Sequence, residues 1–383
     1  MNFPVILLVL IFILSSPPTL LGGEVVLSNY WNRPVIGSGE GIKETAGLYP
    51  EKCAGCHKKQ YNDWSHSFHS KSMSPGLLGQ LDPFNHPDFA LSCYYCHSPL
   101  KEQSEINETE EGYEKNSTFD KSLKMSGVSC PVCHVRNGTV YGPSSPGKIN
   151  VPEMYNDERH PSLQKDFFED AKFCAACHQL DEGYELNGKV LTNTYREWQE
   201  SSYGKENIVC QNCHMPDRKH LFRGIHDREM VEGGLHFEVI NDNTNVTLRI
   251  TNSAVGHYFP TYITPSVTVK GYLLDSSGSI IDGSLKEAII GRRVSLDLSE
   301  ELFDTRIAPL KHFDFQYVPP PIKEAEKIAF EIYVYPDEFY KRFFSSLLAS
   351  GNYAGEREDI VRALEGTKES SYLLYRVERK IAP

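Results

Sequence analysis

The chain has no cysteine outside five copies of one short motif, and other familiar signatures are absent as well. It contains no phosphate-binding glycine loop, no G-x-S-x-G elbow and no H-E-x-x-H helix, so nothing predicts a nucleotide-dependent enzyme, a serine hydrolase or a zinc protease. Basic residues are few, with 39 Lys and Arg against 51 Asp and Glu and a formal charge of −12. Such an acidic chain is a poor partner for nucleic acid or an anionic membrane.

The N-terminal segment also lacks Lys and Arg ahead of its unbroken apolar run, residues 5–14. Small residues follow at Gly22 and Gly23. An apolar run followed by small residues predicts a secretory signal peptide over residues 1–23. An uncleaved anchor is the alternative, although the run is short for a membrane span. We expect no integral membrane segment after signal removal. The expected location is outside the cytoplasm, secreted or on the cell surface, with a periplasm-like space as the alternative.

All ten cysteines belong to five Cys-x-x-Cys-His motifs. Numbered 1 to 5, they are Cys53/Cys56/His57, Cys93/Cys96/His97, Cys130/Cys133/His134, Cys174/Cys177/His178 and Cys210/Cys213/His214. In the attachment motif of c-type haem, two thiols bond the porphyrin and the histidine binds iron from the proximal side. Five cysteine pairs cannot all couple two by two into four-thiolate zinc sites, and disulfides need no histidine after each pair. The sequence predicts five covalently bound c-type haems, with zinc sites and disulfides as the alternatives.

The ligand opposite each proximal histidine decides between two kinds of function. A second strong ligand makes a six-coordinate electron carrier, whereas an open iron allows catalysis or gas binding. Nine histidines remain for this role: His66, His69, His86, His160, His220, His226, His236, His257 and His312. Nine are enough for bis-histidine ligation of five irons from this chain alone.

Composition changes near residue 231 and predicts an α+β fold. Residues 48–230 are rich in Ser, Asn, Asp, Lys, Tyr and Pro, so we expect short helices and loops packed on haems. Residues 236–240, 245–251, 266–274, 313–318 and 327–334 predict strands, most by alternating apolar and polar residues, and residues 341–348 and 359–364 predict helices. The predicted organisation is a signal peptide (1–23), an N-terminal extension (24–47), a pentahaem domain (48–230) and an antiparallel β-sandwich with a helical appendage (231–383).

Four Asn-x-Ser/Thr sequons occur, at Asn107, Asn116, Asn137 and Asn245. Three of them lie in one polar region, which predicts an exposed face open to glycosylation.

Residues 53–69, with Trp64 between motif 1 and His69, resemble the first haem site of multihaem cytochromes related to hydroxylamine oxidoreductase. That group includes the tetrahaem electron acceptor of ammonia oxidisers. The resemblance extends to residues 197–203 and 209–216, to residues 220–226 and to the β-domain fused to some members. The chain differs from the type members in having five motifs instead of four or eight. No motif replaces its histidine by lysine, which disfavours the activity of the pentahaem nitrite reductases.

The resemblance implies distal iron ligands. His69 and His226 match distal positions, with His220 as a competitor for the second. His160 precedes motif 4, as distal histidines commonly do in these cytochromes. His257 either reaches back to a haem or packs at the seam between the domains, and His86 and His236 are reserves.

Two functions are therefore expected to compete. The first is an electron conduit that serves redox protein partners or extracellular electron acceptors. In a sharper form of it, copies of the chain polymerise into a filament, with residues 24–47 docking on the next copy. The second is a haem enzyme with one open iron that acts on a small nitrogen or sulfur compound. A receptor whose sandwich binds a partner is a weaker third hypothesis.

Overall fold

The structure, a computed structural model, describes residues 25–39, 45–144, 154–157, 160–241 and 245–381. It divides into two compact units, Met1–Asn32 and Arg33–Pro383. In the first unit the described residues contain one short helix, α1 (Val25–Tyr30). The predicted signal peptide lies outside the described residues. The remaining elements belong to the second unit, in which we call residues 45–230 the haem region and residues 235–381 the sheet region.

The haem region consists mainly of short helices and loops. Its helices are α2 (Pro50–Ala54), α3 (Lys58–His66), α4 (Pro75–Leu78), α5 (Pro87–His97), α6 (Lys121–Met125), α7 (Cys130–His134), α8 (Lys172–His178), α9 (Thr194–Glu200), α10 (Ser202–Lys205) and α11 (Cys210–His214), followed by α12 (Arg228–Gly234). Single turns of 3₁₀ helix lie at Thr45–Leu48, His69–Lys71, Lys101–Gln103, Asp166–Glu169, Glu182–Tyr184 and Pro216–Arg218. Local sequence sets these starts: the Ser74 side chain caps α4, which has Pro75 at its first position, and Asp120 caps α6.

Short strands connect some of these helices. They are β1 (Ile106–Thr109), β2 (Gly112–Lys115), β3 (Val135–Arg136), β4 (Thr139–Gly142), β5 (Met154–Asp157), β6 (His160–Gln164), β7 (Glu185–Leu186) and β8 (Lys189–Val190). β1–β2 and β7–β8 form hairpins, and the other four strands form a sheet in the order β3-β4-β6-β5. Asn137-Gly138 and Asn187-Gly188 both have positive φ at the turns of β3–β4 and β7–β8, as a two-residue hairpin turn requires.

The sheet region contains two packed antiparallel sheets. Its strands are β9 (Leu235–Asn241), β10 (Val246–Asn252), β11 (Ser266–Leu274), β12 (Lys286–Ile290), β13 (Arg292–Val294), β14 (Glu301–Asp304), β15 (His312–Tyr317), β16 (Lys327–Tyr335) and β17 (Tyr372–Lys380). One sheet has the order β15-β10-β9 and the other β12-β11-β16-β17, while β13 and β14 form a hairpin. Helices α13 (Glu338–Ser350) and α14 (Arg357–Glu369) lie between β16 and β17. The predicted α+β class is confirmed.

Alternating apolar residues from both sheets form one core. In β10, Leu248 and Ile250 are buried, and Leu248 lies opposite Phe315 of β15 in register. Phe330 of β16 packs edge-to-face on Phe315, at 6.1 Å between ring centres. Gly271 of β11 leaves room for these rings, since a Cβ there would come within 2.8 Å of Phe315. Two such apolar faces, each too large to leave in water, bury each other as a sandwich.

The haem region packs directly on the helical part of the sheet region. Gly76 of α4 lies against α14 and α13, where a Cβ would come 2.4 Å from the Phe344 ring. Gly79 is equally close to Ile360, and its carbonyl accepts a hydrogen bond from Gly355 N at 3.0 Å. Only glycines permit this approach of the two backbones.

The sequons do not form one exposed face. Asn116 is 3% exposed, and its amide donates to the carbonyls of Lys101 and Ser104 while its oxygen accepts from Thr118. A glycan would replace those hydrogen bonds, so the prediction of exposure is wrong at Asn116. Asn137 is exposed at its hairpin turn.

No helix within the described ranges is long and apolar enough to span a bilayer.

Candidate haem sites

Helix ends carry four of the five motifs. His97, His134, His178 and His214 are the last residues of α5, α7, α8 and α11, so each motif occupies the final turn of its helix. Cysteines at i and i+3 and a histidine at i+4 then lie on neighbouring positions of one helical surface. Motif 1 differs, because α2 ends just after Cys53 and His57 immediately precedes α3.

All ten cysteines lie in the described ranges as thiols, and thiols of different motifs meet. Cys53 lies close enough to Cys130, Cys96 to Cys177 and Cys174 to Cys210 for one thiol of each pair to shift the pKa of the other. Motif 1 therefore lies beside motif 3, motif 2 beside motif 4, and motif 4 beside motif 5. Motif 4 has the most neighbours of the five.

The second thiol of motif 1 is more open than most of the others. Cys56 is exposed, as is Cys213 of motif 5, whereas the other eight cysteines are half-buried. Because α2 ends at Ala54, Cys56 lies in the turn that leads to His57 and not within a helix. Cys56 is therefore more exposed than Cys53, the first thiol of the same motif. The role of Cys56 in haem attachment stays a prediction.

Four motif histidines have their Nδ1 atoms engaged by the protein. His97, His134 and His214 bond backbone carbonyls through Nδ1, at 2.9, 2.8 and 2.7 Å. The carbonyls belong to Ser72, Tyr141 and Arg223. His178 instead bonds the Tyr262 hydroxyl, at 2.6 Å. A bond from Nδ1–H fixes the tautomer and directs Nε2 to a metal, as in histidines that ligate metals.

Three motif histidines face a second histidine from elsewhere in the chain. The ring centres are 6.1 Å apart for His178 and His69, 6.2 Å for His134 and His220, and 6.4 Å for His214 and His257. An imidazole nitrogen binds a metal at about 2 Å, so two rings on opposite sides of one ion have centres roughly 6 Å apart. The spacing of all three pairs fits an iron held between two histidines.

Burial keeps these rings in the neutral form that a metal requires. Desolvation, with a smaller effect of neighbouring histidines, lowers the pKa of His69 to about 3 and that of His178 and His257 to about 4. The pKa of His134 falls to about 4 for the same reason, and those of His214 and His220 are lowered. Neutral imidazoles in pairs, beside paired thiols, are the donor set of covalently attached haem.

The two other motif histidines are exposed. His57 lies close enough to the His134–His220 pair for its charge to lower the pKa of both rings, in keeping with contact between motifs 1 and 3. Among the ring contacts of the described residues, none joins His97 to a second histidine. His66, His86, His236 and His312 are exposed as well.

His226 has a carboxylate partner. Its Nε2 lies 2.9 Å from Oδ2 of Asp337, just before α13, and its ring packs on Phe68 at 4.1 Å between ring centres. Thus the structure places His220, and not His226, opposite a motif histidine. His160 begins β6, and its side chain lies outside the described part of the chain.

Two tryptophans tie the motif segments together. Trp64 of α3 donates from Nε1 to the carbonyl of Val128, just before motif 3, at 2.8 Å. Trp198 of α9 donates to the carbonyl of Ile208, just before motif 5, at 2.7 Å. Each bond therefore ties the residues just before a motif helix to the helix that carries the tryptophan.

Sequence reasoning missed Arg33 and Tyr262. The Arg33 guanidinium donates to the carbonyls of Tyr95 and Ala176 and to the thiols of Cys96 and Cys177, so it bridges motifs 2 and 4. No feature of the sequence near Arg33 indicates this role. The one signal in the sequence for Tyr262 is its position five residues after His257, a candidate iron ligand, because a loop that carries such a ligand must reach the haem region. Burial raises the pKa of Tyr262 to about 12, so its hydroxyl stays protonated.

Buried charges hold the loop with His257 against the haem region. Arg306 and Glu197 of α9 form an ion pair at 2.9 Å, with side chains 6% and 4% exposed. Glu197 also accepts from Tyr258 N and from the Thr261 hydroxyl. Burial raises the pKa of Glu197, and Arg306 opposes that shift. His257 is therefore held in place by contacts on both sides of its loop.

Comparisons with known proteins agree with this geometry. Residues 52–135 match the model of the family described as cytochrome c554 and c-prime. A crystal structure of a penta-heme cytochrome c552 from Thermochromatium tepidum is similar in fold, with a TM-score of 0.58 and 18% identity over 86% of this chain and 98% of that chain. A search of curated proteins found no match. Together the matches support a multihaem c-type cytochrome with covalently bound haems.

Proposed function

We propose that the chain is an exported pentahaem cytochrome that carries single electrons along closely packed bis-histidine haems. The observation that carries the proposal is the set of three histidine pairs, each with one member from a Cys-x-x-Cys-His motif and one from outside the motifs. A c-type haem supplies reversible one-electron chemistry at its iron when bound. The residues hold, orient and shield that group, and closed ligation favours electron transfer over catalysis.

The pairs assign distal ligands to three haems. His220 is proposed for motif 3, His69 for motif 4 and His257 for motif 5. His160 and His226 are proposed for motifs 1 and 2, and His226 Nε2 would exchange its contact with Asp337 for the iron. The division into residues 48–230 and 231–383 is kept as part of the proposal, with the sandwich supplying His257 to a haem of the first domain.

Thiol contacts support an order of sites. Motif 1 touches motif 3, and motif 4 touches both motif 2 and motif 5. The charge of Cys133 in motif 3 also acts on Cys174 in motif 4. We therefore propose the order 1–3–4, with branches from motif 4 to motifs 2 and 5. Neighbouring sites this close allow rapid electron exchange between redox partners at the ends.

Haem stoichiometry and spin state test the proposal. The exported protein should contain five haems per chain by pyridine haemochrome assay. Electron paramagnetic resonance of the oxidised protein should then show only low-spin iron, unchanged by nitrite. Fewer than three low-spin haems would overturn the bis-histidine assignment.

The alternative function is a haem enzyme with one open iron, acting on a small nitrogen or sulfur compound. The observation that favours it is His97 of motif 2, for which the described ring contacts supply no second histidine. Arg33 beside the same motif provides a cation. A high-spin signal that shifts with nitrite, and that is altered by His97→Ala alone among the motif histidines, would select this function.

The filament form of the proposal rests on the N-terminal segment, which would dock on the next copy, and on exposed histidines, one of which would ligate a haem of the next copy. Residues 24–47 stay the proposed docking segment, and the helix Val25–Tyr30 within it belongs to the first unit. His86 is exposed beside Phe84 and Phe89, which are 63% and 41% exposed. Electron microscopy of the haem-loaded protein should show filaments, and deletion of residues 25–32 should leave single copies.

Glycosylation is proposed for Asn137 and is testable by mass spectrometry of the exported protein.

A further inference from the structure

An open groove lies between α3 and α6, next to motif 1. Its volume is about 620 Å³, and the side chains of Tyr61, Trp64 and Met125 form the apolar part of its lining. Glu51, also in the lining, precedes Cys53 of motif 1 by two residues. The described lining contains no cysteine or histidine, so the groove is separate from the candidate haem sites.

Exposed lysines give the groove a positive charge. Lys71, in the 3₁₀ turn after α3, and Lys121, at the start of α6, both line it. Lys58 is exposed on the face of α3 that carries Tyr61, which lies three residues further along. Glu51 is the acidic residue of the lining, and within the described ranges none of the three lysines forms an ion pair. In a chain with a formal charge of −12, the groove is a local positive surface that attracts anions.

The hairpin β1–β2 carries the opposite charge at its end. Glu110 and Glu111 form its two-residue turn, and Glu108 and Glu114 flank them on the two strands. All four side chains are exposed, and in the described part of the chain none forms an ion pair. Like charges this close repel one another, so a positive surface would stabilise the end of the hairpin.

The hairpin is attached to the helix of motif 2, whereas the groove borders motif 1. The Tyr113 hydroxyl of β2 donates to the carboxylate of Asp88 on α5, the helix that ends in motif 2. Motif 1 and motif 2 are both ends of the proposed order of sites. The positive and the negative surface therefore belong to different ends of the proposed electron path.

We propose that the hairpin of one copy docks in the groove of a second copy, with Glu110 and Glu111 facing Lys71 and Lys121. Hairpin and groove are different surfaces, so the contact is heterologous and leaves one of each open for further copies. Motif 2 of one copy then borders motif 1 of the next, which extends the electron path from copy to copy. The inference rests on the proposed function and names the surfaces that its filament form uses besides residues 24–47.

Charge reversal in the haem-loaded full chain tests the docking. Lys71→Glu/Lys121→Glu reverses the groove, Glu110→Lys/Glu111→Lys reverses the turn, and a fourfold variant combines the two changes. Light scattering during size-exclusion chromatography gives the number of copies per particle. The wild-type particles should dissociate at about 1 M salt, where the Debye length falls to about 3 Å.

A matched control makes the same change of charge elsewhere. Lys311→Glu/Lys323→Glu alters two exposed lysines of the sheet region and should assemble as the wild type does. Each reversal alone should yield single copies at low salt. The fourfold variant should assemble again, because its hairpin is positive and its groove is negative. Residues 24–47 are intact in every variant, so loss of assembly reports on the hairpin and the groove.

The opposite results would overturn the docking. These are assembly that persists in both reversals, or a fourfold variant that carries five haems and stays as single copies. If one reversal does not load haem, the other decides by loss of assembly. A wild-type chain without haem would refute the proposed function itself. A wild-type chain with five haems that stays single at low salt would refute only the docking of a second copy, and would leave an acidic redox protein as the occupant of the groove.

Discussion

The haem region and the sheet region bury their side chains in different ways. In the sheet region, one continuous cluster that includes Leu248, Ile250 and Phe330 joins both sheets. In the haem region the apolar clusters are small, such as that of Leu48, Leu123 and Val135. The space between its short helices is lined instead by half-buried thiols and paired imidazoles. The comparison teaches that the sheet region carries its own core, whereas in the haem region the proposed porphyrins would supply it.

Withholding the cofactor should have the largest effect, because it removes the core of one region only. When the chain is made without haem attachment, we expect trypsin to cut throughout residues 48–230 and to leave a resistant fragment near residues 231–383. Mass spectrometry of the fragments measures this. The double variant Cys174→Ala/Cys177→Ala, which would lose one of the five proposed haems, is the graded control. A protease-resistant haem region without haem would contradict the comparison.

Removing His257 should alter one haem out of five. The residue comes from the sheet region but faces His214 of the haem region, so both regions contribute to this site. His257→Ala should convert one low-spin signal to high-spin in electron paramagnetic resonance while five haems remain attached. His312→Ala, at a side chain that is 48% exposed on β15, is the matched control and should change nothing.

Breaking the buried ion pair should destabilise the seam between the regions. Arg306→Met leaves the Glu197 carboxylate buried without its cation, which costs about 3–5 kcal/mol of the free energy of unfolding. The control is Arg249→Met, since Arg249 pairs with Asp314 at the surface, where ion pairs contribute little to stability. Denaturant unfolding of both variants checks the difference. Equal losses of unfolding free energy in the two variants would mean that water reaches the Arg306–Glu197 pair.

A methyl group at Gly76 should have the smallest of these effects. It would collide with the Phe344 ring, and overpacking of this kind costs about 1–3 kcal/mol. Gly366→Ala is the control, because Gly366 lies on α14 where a Cβ would have no described neighbour within 4 Å. There alanine should stabilise the helix by about 0.5–1 kcal/mol. Thermal unfolding should shift in opposite directions for the two variants.

Sequence periodicity predicted the strands whose residues alternate between apolar and polar, and it missed strands without that alternation. Residues 266–274 and 327–334 alternate or run apolar, and both are strands of the second sheet. β13 has only three residues, including two arginines, so no period of two could be detected. β17 alternates weakly because its outer residues are charged, and its pairing with β16 depends on tertiary contact.

The motif spacing predicts which residues hold the porphyrins, and this stays a prediction, whereas the opposite ligands depend on long-range packing. His69 faces His178 across more than a hundred residues, and no local pattern encodes that pairing. The resemblance favoured His226 over His220, whereas the structure brings His220 to His134 and turns His226 to Asp337. The spacing of the motifs does not indicate Tyr262 either, because its partner His178 lies in the other region of the chain.

The position of the loop that carries His257 has a consequence for biogenesis. During the export that we propose, all five attachment motifs would cross the membrane before this loop, because they precede it in the sequence. Thioether formation can then precede completion of the iron ligands, and the site of motif 5 closes only when the last third of the polypeptide has folded. Under the proposed function, a chain truncated before the sheet region would be covalently loaded but would lack the second ligand of its final site.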